Sequence, residues 1–227
     1  MLNRQRFFPC CAVVAVMLAA PLAVGQDEFA IDAVGTATVD VAPATVVFQL
    51  ELLPSAAPAL ELLQQAVEFE TGVRAEIQKH ELTPTQISST GLNYSHPDTL
   101  GPNISIFLRF STAQFISGDG AEERYAALHD KITAIAAATK ARTFPETFEA
   151  NDPDQVEAAA VARAVEKAYL PAKAAADVMT AKIVSVGNVS VGELVWSNTR
   201  SPVTDYNIRR ITCTATVNVS YIYAPGS

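Results

Sequence analysis

The last stretch of the chain restricts the fold more than any other. Ile211, Cys213, Ala215, Val217, Val219, Tyr221 and Tyr223 take one set of alternate positions; Thr212, Thr214, Thr216, Asn218 and Ser220 take the other. Successive side chains of a strand point to opposite faces, so this run predicts a long strand with one apolar and one polar face. Such a strand suits an antiparallel sheet covered by helices on one side only. With 49% hydrophobic and 18% charged residues among 227, the chain can build a core of ordinary size. That balance excludes a disordered polar tail, a collagen-like repeat and a polytopic membrane protein. Lys and Arg total 16 against 24 Asp and Glu, a net charge of −8, which argues against sequence-independent nucleic-acid binding.

The earlier segments supply the helices. Val34–Val41 and Thr45–Leu52 read as a β-hairpin turned by Ala42-Pro43-Ala44, and Pro54 closes its second arm. A helix follows from Pro58 to about His80, with Ser55 as its cap and Leu62, Ala66, Phe69, Val73 and Ile77 on one face. Gln86–Tyr94 and Asn103–Ala113 are expected strands, the second showing Ile104, Ile106, Leu108 and Phe110 in alternation, with a loop through His96 and Pro97 between them. Gly118-Asp119-Gly120 opens a second helix, whose apolar face holds Tyr125, Leu128, Ile132 and Ile135. One short strand is expected over Arg142–Glu149. Asp152-Pro153-Asp154-Gln155 then starts an Ala-rich helix to about Met179, which Pro171 should kink or divide. Lys182–Trp196, Val-rich and interrupted by Gly187 and Gly192, is a strand, and Ser197–Asn207 a polar loop. Strands in adjacent pairs interspersed with helices predict an α+β fold, mainly antiparallel, with long amphipathic helices on one face.

The first 25 residues read as a secretory signal. Arg4 and Arg6 precede an uncharged apolar run from Cys10 to Ala20; Pro21 breaks it, and Ala23-Val24-Gly25 offers small residues for cleavage after Gly25. The competing reading is a retained anchor, since the run approaches the length of a spanning helix. Cleavage would leave Cys213 as the one cysteine of the mature chain and rule out an intrachain disulfide. A periplasmic or otherwise extracytoplasmic location is expected, with no membrane span after cleavage.

The residue types that carry chemistry do not assemble into a motif. His80, His96 and His129 lack His-Glu-x-x-His or His-x-His spacing; they are expected at a helix end, in a loop and on an exposed helix face. Asp152-Pro153-Asp154 lacks the oxygen ladder of a calcium loop and reads as a helix cap. Cys213 alternates with Ile211 and Ala215 on the apolar side of its strand, which predicts a buried thiol and not a redox sensor. Gly118-Asp119-Gly120 is a turn before a helix whose Glu122 and Glu123 suit its N-terminus. Neither a nucleophile elbow nor a phosphate-binding glycine loop occurs. Asn93, Asn103, Asn188 and Asn218 each begin an Asn-x-Ser sequon in or beside a strand, and Arg209-Arg210 reads as a solvated pair at a strand end. No catalytic, cofactor-binding or metal-ligating residue is assigned.

Several segments together resemble the SIMPL domain family. They are Gly35-Thr36-Ala37-Thr38-Val39 with Pro43-Ala44, the helix from Pro58 to His80, Ile87-Ser88-Ser89-Thr90 with Tyr94, and Phe148-Glu149-Ala150-Asn151-Asp152-Pro153. Lys173-Ala174, Val186-Gly187-Asn188-Val189 and the closing Thr214–Tyr221 strand complete the resemblance. The chain departs from the family pattern at Ala44, at Ser105-Ile106-Phe107 and at Pro171, as a divergent member would. The resemblance implies one exported α+β domain over residues 26–227, and it points to periplasmic proteins of oxidative-stress defence and outer-membrane immunogenic proteins. The expected function is non-enzymatic, by self-assembly into a homo-oligomer or by interaction with an envelope protein, with no cofactor and no nucleic acid. The alternative is a small-ligand binder or enzyme whose site is assembled from residues distant in sequence.

Overall fold

The first two strands lie on either side of a Pro-containing turn, yet they do not pair with each other. In the computed structural model, which describes residues 28–54, 57–93, 102–115, 118–197 and 210–225, β1 (Phe29–Val41) and β2 (Thr45–Leu52) belong to different sheets. The expected hairpin is therefore corrected. The connecting segment explains why: Ala44 donates its N–H to the Glu149 carbonyl at 2.8 Å, and Thr112 donates its N–H to the Ala44 carbonyl at 3.0 Å. The Thr112 hydroxyl also donates to the Pro43 carbonyl. Backbone groups that would close a tight turn are engaged elsewhere.

The remaining elements are α1 (Ala59–Lys79), β3 (Gln86–Asn93), β4 (Asn103–Ser111), α2 (Ala121–Ala138), β5 (Arg142–Thr143), β6 (Thr147–Glu149), α3 (Pro153–Val178), β7 (Ala181–Ser197) and β8 (Ile211–Pro225). They group into two compact units. One holds β1, α3, β7 and β8; the other holds β2 to β6 with α1 and α2. The fold is α+β, as the sequence predicts.

In the first unit the strand order is β1-β8-β7. Side-chain hydrogen bonds Thr36–Thr216 at 3.3 Å, Thr38–Thr214 at 3.2 Å and Thr212–Asp40 at 3.0 Å run in opposite sequence directions, so β1 and β8 are antiparallel and share a polar outer face. The inner face carries Ala33, Ala37, Val39 and the alternating β8 residues from Cys213 to Tyr223. Against it lie Ala160, Ala164, Ala168, Ala172 and Ala176, the buried row of α3. A Cβ on Gly35 would stand 1.9 Å from the Ala164 carbonyl oxygen and 2.6 Å from the Ala168 nitrogen. Strand and helix backbones therefore meet where no larger residue fits. Asp152 caps α3 as expected, its Oδ1 accepting the Gln155 N–H at 3.0 Å, with Pro153 in the first turn. Pro171 does not divide the helix. It sits on the exposed side, where the carbonyl that it leaves unbonded can be hydrated.

In the second unit the order is β3-β4-β2-β5, with β6 also on β2, and every pairing is antiparallel. Val46, Phe48 and Leu50 stand opposite Phe110, Leu108 and Ile106. All six are buried, as are the predicted faces of α1 and α2. The expected strand over Arg142–Glu149 is split, because Pro145 has no N–H for the ladder. Phe144 at the break is partly exposed under the Arg142 guanidinium at 5.2 Å, while Phe148 is buried. Pro58, not Ser55, is the N-cap position of α1; Ser55 lies outside the described residues.

Among the described residues each of the three α-helices is followed by a non-glycine residue in the left-handed region: Glu81 (φ 53°), Lys140 (φ 57°) and Thr180 (φ 53°). After α1, Glu81 N–H bonds the Gln78 carbonyl and Leu82 N–H the Ile77 carbonyl, both at 3.0 Å, a Schellman ending that glycine fits best.

Candidate functional site

Only β8 pairs with β7 among the described residues, so the 17 residues of β7 present their other edge unpaired. Inward β8 residues Tyr223, Tyr221, Val219, Val217, Ala215 and Cys213 face Ile183, Val186, Val189, Val191, Leu194 and Trp196 across the ladder. Three register shifts, at Ile183/Ser185, Val186/Asn188 and Val191/Glu193, hold this apolar row on one side. They also interrupt the edge, and Glu193–Ser197 is its longest stretch in unbroken register. Coverage of the inner face is incomplete here, where Leu194 is 38% exposed, and on the outer face Val195 is 45% exposed. Sequence periodicity missed this row, because each bulge moves the alternation by one position. The signal that remains is the pair Gly187 and Gly192, each of which falls at a shift.

A second feature is the polar face of the second unit's sheet. Glu51, buried, accepts from Asn103 Nδ2 at 2.7 Å and pairs with Arg142. Gln49 Nε2 donates to Ser105 Oγ at 3.1 Å. Arg109 reaches both oxygens of Glu149 at 3.4 Å and Ser88 Oγ at 3.2 Å. Both carboxylates are matched by guanidinium groups, an arrangement that fixes strand register.

The other residues singled out in the sequence stay apart. His80 caps the end of α1, its Nε2 3.6 Å from Glu76. His129 is half-buried, its ring edge-on to Phe48 at 6.4 Å, and not on an exposed face as expected. His96, Arg209 and residues 1–25 lie outside the described residues. Among the described residues no three His, Cys, Asp or Glu side chains come together in a way that could hold a metal ion. Cys213 is fully buried; burial pushes its thiol up from the ordinary value, and the Glu157 carboxylate adds to the effect. Asn103 is engaged with Glu51, whereas Asn188 and Asn218 are exposed. No described helix is long and apolar enough to cross a membrane.

A family model described as "Protein of unknown function (DUF541)", SIMPL, matches residues 31–221, from within β1 into β8. The chain belongs to the SIMPL family. Its match takes in both compact units, so a SIMPL chain here comprises the three-stranded sheet with its Ala-rich helix and the five-stranded sheet with two. No curated protein matches the chain. Among solved structures it is similar to the regulatory subunit of aspartate kinase from Thermus flavus, at 14% identity over 85% of this chain and 89% of that chain. The TM-score is 0.25.

Proposed function

We propose that this SIMPL protein works outside the cytoplasm as a non-enzymatic component of the cell envelope, by pairing β7 with β7 of a second copy. The observation that carries the reading is the edge of β7 that no described strand pairs with, where Glu193–Ser197 runs in unbroken register and Leu194 and Val195 stand partly exposed on its two faces. A long strand edge offers backbone N–H and C=O groups to another strand, and an apolar row beside it adds burial on pairing. Export rests on the leader-like run before Gly25. A role in oxidative-stress defence, which the family resemblance implies, would act through association and not through thiol chemistry, since Cys213 is buried.

Sedimentation of the exported chain tests the reading. Association that strengthens with concentration is expected, together with its loss in Val195→Lys, which puts a charge on the edge. A wild-type chain that stays monomeric at high concentration would contradict it. Mass spectrometry of the exported protein is expected to find the N-terminus at Gln26; a chain that retains residues 1–25 would overturn the cleavage.

A further inference from the structure

We propose that a cavity in the second unit binds a small amphipathic anion, an aromatic or branched carboxylate, with its charge at Lys131 and its apolar part on Phe110, Phe115 and Leu128. The cavity measures about 260 Å³. An apolar cavity of about 150 Å³ already accepts a benzene ring. Of the apolar side chains that line it, Phe110, Phe115 and Leu128 are buried, Leu82 is half-buried and Ala127 is exposed. Lys131 also lines it, together with Arg124 and Glu81.

Both cations are held in place by backbone carbonyls. Lys131 Nζ donates to the His80 carbonyl at 3.0 Å, and among the described residues it makes no ion pair. An ammonium group has three donors, so this contact anchors the charge without neutralising it and leaves further donors for a ligand. Arg124 donates from Nε to the Gln114 carbonyl and from Nη1 to the Asp119 carbonyl, both at 2.7 Å, which ties Gln114, on one side of the cavity, to α2. A carboxylate beside a pre-positioned ammonium with an apolar floor beneath gains a charge-assisted hydrogen bond and ring burial together.

Titration calorimetry and amide chemical shifts with phenylacetate, phenylacetamide and phenethylammonium test this on the exported chain. Phenylacetate is expected to bind saturably and to shift amides of residues 81–83 and 124–131. Phenylacetamide and phenethylammonium should bind about tenfold more weakly or worse, and Lys131→Gln should lose a similar factor for phenylacetate alone. Absence of saturable binding, equal binding of the amide or the cation, or shifts confined to other residues would overturn the proposal, and the three-ligand comparison on the unaltered chain decides it even if Lys131→Gln fails to fold.

Discussion

The two units are packed by opposite means. In the first, Ala160, Ala164, Ala168, Ala172 and Ala176 bring α3 down onto β1 until the backbone at Gly35 touches the helix backbone. In the second, Phe48, Leu50, Ile104, Leu108, Phe69, Val73 and Ile132 fill the space between sheet and helices with large side chains. The first core gains by close approach and the second by the volume of its side chains. A close-approach core tolerates no enlargement, whereas a volume-filled core tolerates no loss.

The comparison breaks first at Gly35. Gly35→Ala is expected to cost about 3 kcal/mol or more in urea unfolding, because the atoms its Cβ would meet are backbone and cannot rotate away. Ala168→Leu should cost a similar amount, and Ala168→Gly only about 1 kcal/mol, the helix-propensity difference. In the second unit the order reverses: Leu108→Ala should cost about 3 kcal/mol through the cavity it opens. Equal sensitivity of the two sites to enlargement and truncation would remove the distinction.

Arg142→Ala should come next, at about 2 kcal/mol by thermal or urea unfolding, because it leaves the buried Glu51 carboxylate with Asn103 alone. Half of the Arg142 side chain is exposed, so solvent screening keeps the loss in this lower range.

A smaller effect is expected from pH, and it falls on the first unit. Cys213, Tyr221 and Tyr223 all titrate above their ordinary values, chiefly because burial disfavours the charged forms. The unfolded chain then begins to lose protons near the ordinary values, 9.0 for the thiol and 10.0 for the phenols, while the folded chain keeps them. Stability should therefore be intact below those values and fall as pH rises through them toward the raised folded values. Tyr223→Phe should shallow that fall; an unchanged slope in both Tyr223→Phe and Cys213→Ala would contradict the assignment.

The mildest test concerns the helix ends. Glu81→Gly, Lys140→Gly and Thr180→Gly should each raise stability by about 0.5–1 kcal/mol, since glycine takes the left-handed conformation without strain. Thr180, β-branched, should gain most.

Legibility in the sequence followed from how local the determining interaction was. The alternation from Ile211 to Tyr223, the apolar faces of α1 and α2 and the Asp152 cap are set within a few residues, and all are seen in the fold. The partner of β1 was not legible, because Val34–Val41 fits a hairpin and the sheet edge of β8 equally well. Ala42-Pro43-Ala44 reads as a turn until Thr112 and Glu149, far away in the chain, claim its backbone groups. The row on β7 was hidden by its bulges, and His129 was misplaced because Phe48, which covers its ring, comes from another element. Lys131 drew no notice, since its link to the His80 carbonyl joins two helices distant in sequence.

Hydrogen exchange measured across a range of protein concentrations tests the central claim, pairing through β7, most directly. Amides of Glu193–Ser197 that point away from β8 are expected to gain protection as concentration rises, while those of β8, already paired on both sides, stay protected throughout. Outward amides of Glu193–Ser197 that exchange at the same fast rate at every concentration would contradict it.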